Sequence, residues 1–334
     1  MKRLILIVAV TALILPLAVG LTGCAKETKH YLIGISQFVE HPALDAVRNG
    51  FIDYLKEKGY VEGENVTYDI NFAQADFGIA AQIAEKLVGE NPDLILAIAT
   101  PSAQTVVKVT TEIPILFSAI TDPVGAGLVD SLSGGGKNVT GTSDLSPVDR
   151  QLELIKEVVP NVKKLGFIYN AGESNSLTSL KQIQEEGAKL GIEIVEATVT
   201  NSSEVLMAAE SLVGKVDAIH IPTDNTVVSA FEAITKVCID NKIPLFAADV
   251  DSVPRGAVAA LAIDYYLLGK QTGRMAVEVL EGKNPGEMPT EMLEDLLLYV
   301  NLDSATKMAV TIPESVLKKA DKTFEETGPA EGGE

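Results

Sequence analysis

The fold of this chain is constrained most by a regular alternation of short apolar runs with amphipathic stretches of helical length, which begins near residue 30. The apolar runs of the first half are residues 31–38, 66–72, 94–99, 115–120 and 139–142. Helical patterns fill the gaps between the first four runs, at residues 43–58, 79–89 and 102–110. Apolar strands joined by helical crossovers indicate a parallel sheet covered on both faces.

The same order of elements restarts after residues 146–147, where a helical pattern runs to residue 158. The apolar runs that follow are residues 165–169, 192–197, 218–221, 245–248 and 258–263. Two pairs of segments support an internal duplication: residues 113–119 resemble 243–248, and residues 33–35 resemble 165–168. Repetition at this scale indicates a repeated structural unit. The sequence therefore predicts an α/β protein of two doubly wound parallel-sheet lobes.

The N-terminus has the pattern of a lipoprotein signal peptide. Lys2 and Arg3 precede an apolar run over residues 4–19, and Leu21-Thr22-Gly23-Cys24 follows it. This order of charge, apolar run and cleavage site is typical of an exported protein. Cleavage before Cys24 and lipidation of its thiol are predicted; an uncleaved membrane anchor with an incidental cysteine is the alternative. The other cysteine, Cys238, lies in a helical pattern at residues 227–241 and is expected to be buried and unpaired.

These patterns divide the chain into a signal peptide (1–23), a tether (24–30), two lobes and a disordered tail (325–334) rich in Gly, Pro and Glu. Lobe 1 is predicted from residues 31–144 with about 265–290, and lobe 2 from 145–264 with about 300–324. A helix at 265–282 and an extended stretch at 296–301 indicate that the chain crosses again between lobes. The formal net charge is −19, which opposes binding to nucleic acid.

A ligand site is predicted between the lobes, because parallel sheets bind ligands at the carboxyl ends of their strands. Polar loops follow the predicted strands at this edge. The candidate residues from these loops are Gln37, Phe38, Thr100, Pro101, Ser102, Thr121, Asp122, Asn175, Ser176, Asp224, Asn225 and Asp249. Thr100 is expected to cap a helix, leaving the amides of Ser102 and Ala103 free for a ligand carboxylate.

Acidic residues at the same edge could hold a ligand ammonium, because a buried carboxylate needs a partner. Asp224 is favoured for this role, with Asp122 and Asp249 as alternatives; helix capping by Asp224 and a solvated turn at Asp249 are equally open interpretations. Glu173 is expected to be solvated. An apolar ligand side chain is placed beside Phe38. Asn175 and Ser176 are expected to cap a helix and could also reach the ligand.

Neither catalytic nor metal-binding patterns are found in the sequence. His30, His41 and His220 have no Cys, His or Asp at the spacing of metal ligands. No Gly-x-x-x-x-Gly-Lys-Ser/Thr phosphate loop is present. The sequence therefore predicts a protein that is not an enzyme and that carries no metal or cofactor.

Several short motifs resemble one family. They are residues 41–45 (HPALD), 100–104 (TPSAQ), 120–126 (ITDPVGA), 224–226 (DNT) and 311–317 (TIPESVL). These motifs, spread over essentially the whole mature chain, are similar to those of the substrate-binding lipoproteins of ABC importers of the tryptophan/tyrosine type. The resemblance implies the type I periplasmic-binding-protein fold with a hinge of three strands. It also implies ligand contacts from the same loops, although Ser102 stands where alanine is usual in the family.

The function expected from these patterns is that of an importer's receptor, which closes over an aromatic amino acid and presents it to permease subunits. Another small ligand, such as a nucleoside or a sugar, is the alternative, and a sensory binding module is a further one. The protein is expected to be a monomer, held by Cys24 at the outer face of the cytoplasmic membrane or in the periplasm.

Overall fold

The computed structural model describes residues 29–134 and 137–328. The predicted signal segment, Cys24 and residues 329–334 therefore lie outside the described residues, and lipidation at Cys24 stays a prediction. Within the described ranges, no helix combines the length and the apolar character needed to cross a membrane.

The first sheet is parallel throughout and is built mainly from the first half of the chain. Among the described residues it has six strands in the order β11-β5-β4-β3-β1-β2. Their bounds are β1 (Tyr31–Gln37), β2 (Val66–Phe72), β3 (Leu94–Ile98), β4 (Ile115–Ile120), β5 (Val139–Ser143) and β11 (Glu291–Met292). The helices on its faces are α1 (Pro42–Glu57), α2 (Phe77–Glu90), α3 (Thr100–Val109) and α9 (Tyr265–Leu280). We call this unit lobe 1.

The second sheet, in lobe 2, has seven strands within the described residues, in the order β13-β12-β10-β9-β8-β6-β7. Its strands are β6 (Lys164–Asn170), β7 (Glu193–Val199), β8 (Ala218–Ile221), β9 (Leu245–Ala247), β10 (Ala259–Ala262), β12 (Leu297–Asn301) and β13 (Lys322–Phe324). Its helices are α4 (Val148–Val158), α5 (Ser174–Leu190), α6 (Val205–Leu212), α7 (Asn225–Val228), α8 (Phe231–Asn241), α10 (Leu302–Lys307) and α11 (Glu314–Leu317). Only β12 runs antiparallel to its neighbour β10. The predicted class, two parallel-sheet α/β lobes, is confirmed.

Three segments of the described chain pass between the two sheets. They are residues 144–147 after β5, residues 263–264 after β10 and residues 293–296 after β11. Their number matches that of the predicted three-strand hinge. The residue ranges predicted for the domains stay a prediction.

Two sequence predictions differ from the structure in extent. The helical pattern over residues 227–241 is divided into α7 and α8, with a break at Ser229 and Ala230. The predicted disordered tail is wrong for its first residues, because Thr327 donates its amide to Asp303 and Gly328 donates its amide to the carbonyl of Pro254. Composition alone did not indicate these partners, which come from distant parts of lobe 2.

Helices α1 and α9 pack so closely that their backbones touch. A Cβ added at Gly50 would lie 2.1 Å from the carbonyl oxygen of Tyr266, and one added at Gly269 would lie 2.1 Å from that of Val47. Only glycine allows this approach, because any side chain would displace the facing helix. The contact fixes α9, which enters from the second crossing segment, onto the helix that follows β1.

Gly50→Ala is expected to destabilise the protein by about 1–3 kcal/mol, since the added methyl overpacks this helix contact. Gly89→Ala is the matched control, because nothing lies within 4 Å of a Cβ added at Gly89 in α2. There, alanine should stabilise by roughly 0.5–1 kcal/mol through its higher helix propensity. Denaturant unfolding measures both. Equal effects of the two substitutions would contradict the proposed backbone contact.

Candidate functional site

A cleft lies between the lobes, at the carboxyl ends of the parallel strands. Lobe 1 and its crossing segments contribute residues at the start of α1, at the end of β4 and at the start of α9. Lobe 2 contributes the start of α5, the segment around the start of α7, and the second residue after β9. The lining residues are His41, Ala43, Leu44, Ala119, Thr121, Asp144, Asn175, Thr223, Asp224, Asn225, Val228, Asp249 and Tyr265.

Asp224 is fully buried and connects three elements of lobe 2. Its Oδ1 accepts the amide of Val227 at 2.8 Å, which caps α7. Its Oδ2 accepts the amide of Asn170 and the hydroxyl of Ser176, both at 2.6 Å. Asp224 is therefore a helix cap that also lines the cleft, so the two interpretations of its sequence position do not exclude one another.

Glu173 is fully buried, and the expectation that it is solvated is wrong. Its Oε1 accepts the amide and the hydroxyl of Thr226, at 2.9 and 2.7 Å. Its Oε2 accepts the side-chain amides of Asn225 and Asn175, at 2.5 and 3.1 Å. The first amides of a helix have no intrahelical acceptor, so a carboxylate from a neighbouring loop satisfies them and gains from the helix dipole.

Glu173 lies close to Asp224 and affects the ionisation of Asp224. Burial, and then the neighbouring Glu173, raise the pKa of Asp224 to about 8, against the opposing effect of its hydrogen bonds to Asn170, Ser176 and Val227. A cation that enters the cleft beside Asp224 would favour its ionised form.

Asp144 and Asp249 bring two more buried carboxylates to the cleft. Asp144 lies in the first crossing segment and accepts the hydroxyl of Tyr265 at 2.9 Å and that of Thr121 at 3.3 Å. Asp249 accepts the amide and hydroxyl of Ser252, so it lies in a buried turn and the solvated alternative is wrong. Burial raises the pKa of both groups.

His41 caps α1, with its Nδ1 accepting the amide of Leu44 at 3.5 Å. Burial, and then the charge of Arg255, lower the pKa of His41 to about 3, so the imidazole is neutral at physiological pH. The lining residues of the cleft thus include three carboxylates and, among the described residues, no lysine or arginine. Nor do the described residues include a group of three or more His, Cys, Asp or Glu that could hold a metal ion.

The structure brings some of the predicted site residues together and not others. Those that line the cleft are Thr121, Asn175, Asp224, Asn225 and Asp249. Those outside the lining are Gln37, Phe38, Thr100, Pro101, Ser102, Asp122 and Ser176. Ser176 still supports the site through Asp224, whereas Asp122 caps its own turn by accepting the amide of Gly125. The contact roles of all these residues stay predictions.

Phe38 and Gln37 face the interior of lobe 1. Phe38 is fully buried and packs against Phe77, with ring centroids 5.2 Å apart. The Gln37 amide donates to Asp45 and its oxygen accepts from Arg48. Both side chains therefore stabilise the end of β1 and the start of α1. The residues at the start of α1 line the cleft, and Gln37 and Phe38 do not.

The predicted capping of α3 is wrong. The helix begins at Thr100, and its cap position is Ala99, whose φ of 75° lies in the left-handed region and which makes no side-chain cap bond. The Thr100 hydroxyl is buried without a hydrogen-bond partner among the described residues. The Ala103 amide is not free either, because it donates to the carbonyl of Ala99 at 3.1 Å.

Sequence reasoning missed several lining residues. They are His41, Ala43, Leu44, Ala119, Asp144, Thr223, Val228 and Tyr265. The signal that could have found the first three is Pro42, which is favoured in the first turn of a helix directly after the first strand. Asp144 could have been found because it follows β5 at the same edge as the other loops.

The lobes touch each other within the cleft lining and outside it. The hydroxyls of Thr121 and Thr223 lie 3.3 Å apart. Outside the lining, Gln104 of α3 donates to Ser174 of α5 at 3.2 Å and to the carbonyl of Ala126 at 3.1 Å. A two-lobed α/β structure with a polar cleft, three crossing segments and contacts that close it defines a hinged ligand-binding protein.

Comparison with known proteins gives the family. Residues 32–324 match the family described as ABC transporter substrate binding protein, and the chain belongs to it. A tyrosine-binding protein of Clostridioides difficile is 45% identical over 298 residues, which cover 85% of this chain and 86% of the relative. The protein is thus a substrate-binding protein of an ABC transporter, and its partners are a small-molecule ligand and the transporter's permease.

Two solved structures with the same fold differ in their ligand state. An ABC domain from Streptococcus pneumoniae in complex with L-Trp is 36% identical, with a TM-score of 0.86, over 89% of this chain and 100% of that one. The ligand-free, open structure of a substrate-binding protein from Clostridium difficile is 41% identical, with a TM-score of 0.67, over 89% and 100%. The better superposition belongs to the ligand-bound structure, although its sequence is the less similar of the two.

The contact between Gln104 and Ser174 should stabilise the closed state without touching the ligand. Gln104→Ala is expected to weaken the binding of any ligand by about 3- to 10-fold, since a hydrogen bond contributes roughly 0.5–1.5 kcal/mol and closure is linked to binding. Calorimetry with two ligands of different size measures it, and both should weaken by the same factor.

Gln184→Ala is the control for this prediction. Gln184 also lies on α5 and donates to Glu196, at 2.9 Å, but this contact stays within lobe 2. Its removal should leave the affinity unchanged. A Gln104→Ala protein that binds as tightly as the parent would show that the contact does not contribute to closure.

Proposed function

We propose that this protein binds an aromatic amino acid in the interlobe cleft, outside the cytoplasm, and delivers it to the permease of an ABC importer. The observation that carries the proposal is a cleft with three buried carboxylates, a helix N-terminus and an apolar wall. This combination suits a zwitterion with an aromatic side chain. The tyrosine-binding relative and the L-Trp complex support the same ligand class.

The carboxylates of Asp144, Asp224 and Asp249 give the ligand ammonium its partners. Asn175 also lines the cleft, and its side-chain oxygen is buried and has no hydrogen-bond partner among the described residues. An ammonium has three N–H donors, enough for this oxygen and for neighbouring carboxylates. Asp224 is thus one member of an acidic set rather than a single counter-ion.

The ligand carboxylate is better placed at the start of α1 than at the start of α3. Ala43 lies in the first turn of α1 and lines the cleft, whereas Ser102 and Ala103 do not. Its amide has no intrahelical acceptor, and the helix dipole favours an anion there by about 0.3–1 kcal/mol. The aromatic side chain would contact Leu44, Val228 and the ring of Tyr265.

The contacts between the lobes also support ligand capture. Each lobe contributes part of the lining, so a bound molecule contacts both and favours closure. The superposition on the L-Trp complex, closer than that on the open structure, agrees with a lining already arranged around a small molecule.

Thermal unfolding tests the ligand class. L-tyrosine, L-tryptophan or L-phenylalanine at 100 times the Kd should stabilise the protein by about 2.7 kcal/mol, because the ligand binds the folded state alone. Glucose, adenosine and an acidic amino acid such as L-glutamate serve as controls and should leave the melting temperature unchanged. A shift caused by a sugar or nucleoside, with no shift from aromatic amino acids, would contradict the proposal.

We further propose that the mature protein is a lipoprotein, tethered by lipidated Cys24 to the outer face of the membrane. The Leu21-Thr22-Gly23-Cys24 motif supports this anchor, and two acyl chains hold a protein at a membrane stably where one does not. A monomer suffices for the proposed function, since the cleft is lined by a single chain.

Mass spectrometry of the membrane fraction should find a mature N-terminus at Cys24 that carries acyl chains. Cys24→Ser should release the protein from the membrane or leave the signal segment uncleaved, because the acylated thiol is the attachment point. Cys238→Ser is the control, because that thiol is buried. A secreted protein with an unmodified Cys24 would contradict the anchor.

A further inference from the structure

We infer that a β-bulge at Ser118 and Ala119 orients the cleft side chains beside the hinge, and that the strained backbone of Ala119 is required for tight ligand binding. The choice of ligand rests on the proposed function. Ala119 lines the cleft and has a φ of 58°. Among the described residues, it is the one non-glycine residue inside a strand whose φ lies in the left-handed region. A side chain there costs free energy, and residues with such strain cluster at functional sites.

The pairing of β4 with β5 contains one extra residue on β4. Phe117 pairs with Gly141, whereas Ile120 pairs with Ser143, so three steps along β4 match two steps along β5. An extra residue of this kind is a β-bulge, which is rare between parallel strands. Bulges beside functional sites bend the strand and change the direction of a side chain.

The bulge reverses the alternation of side chains beyond it. The Ser118 hydroxyl lies 3.0 Å from that of Thr142 and 2.9 Å from that of Thr272 on α9, so Ser118 points to the face of the sheet that α9 covers. In a regular strand, Ile120 would share this face and Thr121 would point away from it. The extra residue moves Ile120 to the opposite face. A shift of one residue flips every side chain that follows, so Thr121 points to the face of α9.

The hydrogen bonds of Thr121 agree with this direction. Its hydroxyl lies 3.3 Å from Asp144 Oδ1 in the first crossing segment, and Asp144 Oδ2 accepts the hydroxyl of Tyr265 at the start of α9. The same Thr121 hydroxyl lies 3.3 Å from that of Thr223 in lobe 2. All four residues line the cleft. The bulge therefore determines which side chain at the end of β4 reaches the hinge and the opposite lobe.

Buried contacts hold the bulge in its conformation. The hydroxyls of Ser118, Thr142 and Thr272 each contact the other two, at 2.8 to 3.0 Å. The Ser118 carbonyl accepts the amide of Ala99 at 3.0 Å, and Ala99 also has a left-handed φ, of 75°. Strained residues persist where the surrounding structure fixes them, as it does at the ends of these two neighbouring strands.

Ala119→Gly should separate ligand affinity from stability. Relief of strain offsets the lost burial of the methyl group and the greater freedom of the unfolded chain, so the melting temperature should stay within about 2 °C of the parent. Glycine populates both signs of φ, so the bulge can adopt other conformations. Because Thr121 is then no longer fixed against Asp144, the affinity should fall. A purely structural role of Ala119 would not lower the affinity at unchanged stability.

Calorimetry with L-tyrosine and L-tryptophan, and thermal unfolding without ligand, measure both quantities. Ala119→Gly should weaken both amino acids by about fivefold or more, the equivalent of one lost hydrogen bond. Ala309→Gly is the matched control, because Ala309 has a φ of 57° but is exposed and follows α10 in lobe 2. This variant relieves the same strain away from the cleft. It should raise the melting temperature and leave both affinities unchanged.

A second variant removes the support of the bulge without changing the lining. Ser118→Ala leaves the contact between Thr142 and Thr272 in place, and Ser118 does not line the cleft. It should lower the melting temperature and weaken both amino acids by about threefold or more. Ser304→Ala is its control, because Ser304 is also buried and shares a hydroxyl contact, with Thr327 at 2.9 Å, in lobe 2. It should lower the melting temperature alone.

The outcomes separate this inference from the proposed function. Equal affinities of the parent and the Ala119→Gly protein overturn the inference and leave the proposed function intact. The inference also fails if Ala309→Gly weakens binding by the same factor, or if Ala119→Gly lowers the melting temperature by more than about 2 °C, the range that strain relief should preserve. A parent protein that binds neither amino acid overturns the proposed function and the inference with it.

Discussion

The first amides of α7 have no acceptor within their own helix, and they lie at the edge of the lobe 2 sheet that faces the cleft. Their need for acceptors determines which side chains lobe 2 brings to this edge. Glu173 and Asp224 satisfy them from the loop after β6 and from the cap position itself. Asp224 also holds the end of β6 through the Asn170 amide and the start of α5 through Ser176. Removal of either carboxylate would leave buried donors unpaired, which costs more than the hydrogen bonds contribute. These hydrogen bonds therefore satisfy the cleft wall of lobe 2 without a ligand.

The use of carboxylates as acceptors for helix amides also affects the electrostatics of the cleft. The carboxylates that satisfy helix amides in lobe 2 have no side-chain cation as partner, and Asp144 and Asp249 add to them. Burial raises the pKa values of Asp144, Asp224 and Asp249, and a cation close to these groups would favour their ionised forms. Under the proposed function, a ligand ammonium is such a cation. The carboxylates proposed to hold it are thus the groups that already accept structural hydrogen bonds.

Much of the fold could be predicted from periodicity. The apolar runs at 31–38 and 115–120 correspond to β1 and β4 within a residue, because parallel strands buried on both faces must be apolar throughout. Because the strands could be located, the loops at their carboxyl ends could also be selected. Periodicity does not predict the direction of the side chains in the loops that follow the strands. Phe38 follows β1 directly, yet its ring turns into lobe 1 and packs on Phe77. Glu173 looked solvated because its partners, Asn225 and Thr226, are about 50 residues away in sequence.

The hinge connects recognition with movement through Asp144. This residue lies in the first crossing segment, Tyr265 directly follows the second, and Thr121 directly follows β4, the strand beside β5. Its two hydrogen bonds therefore join two of the crossing segments to lobe 1 at the cleft wall. A ligand that contacts Asp144 acts on the hinge itself, whereas one that contacts Asp224 acts on lobe 2. A molecule that engages both couples the orientation of the lobes to its own binding free energy, and the contact of Gln104 with Ser174 adds to the closed state once the lobes meet.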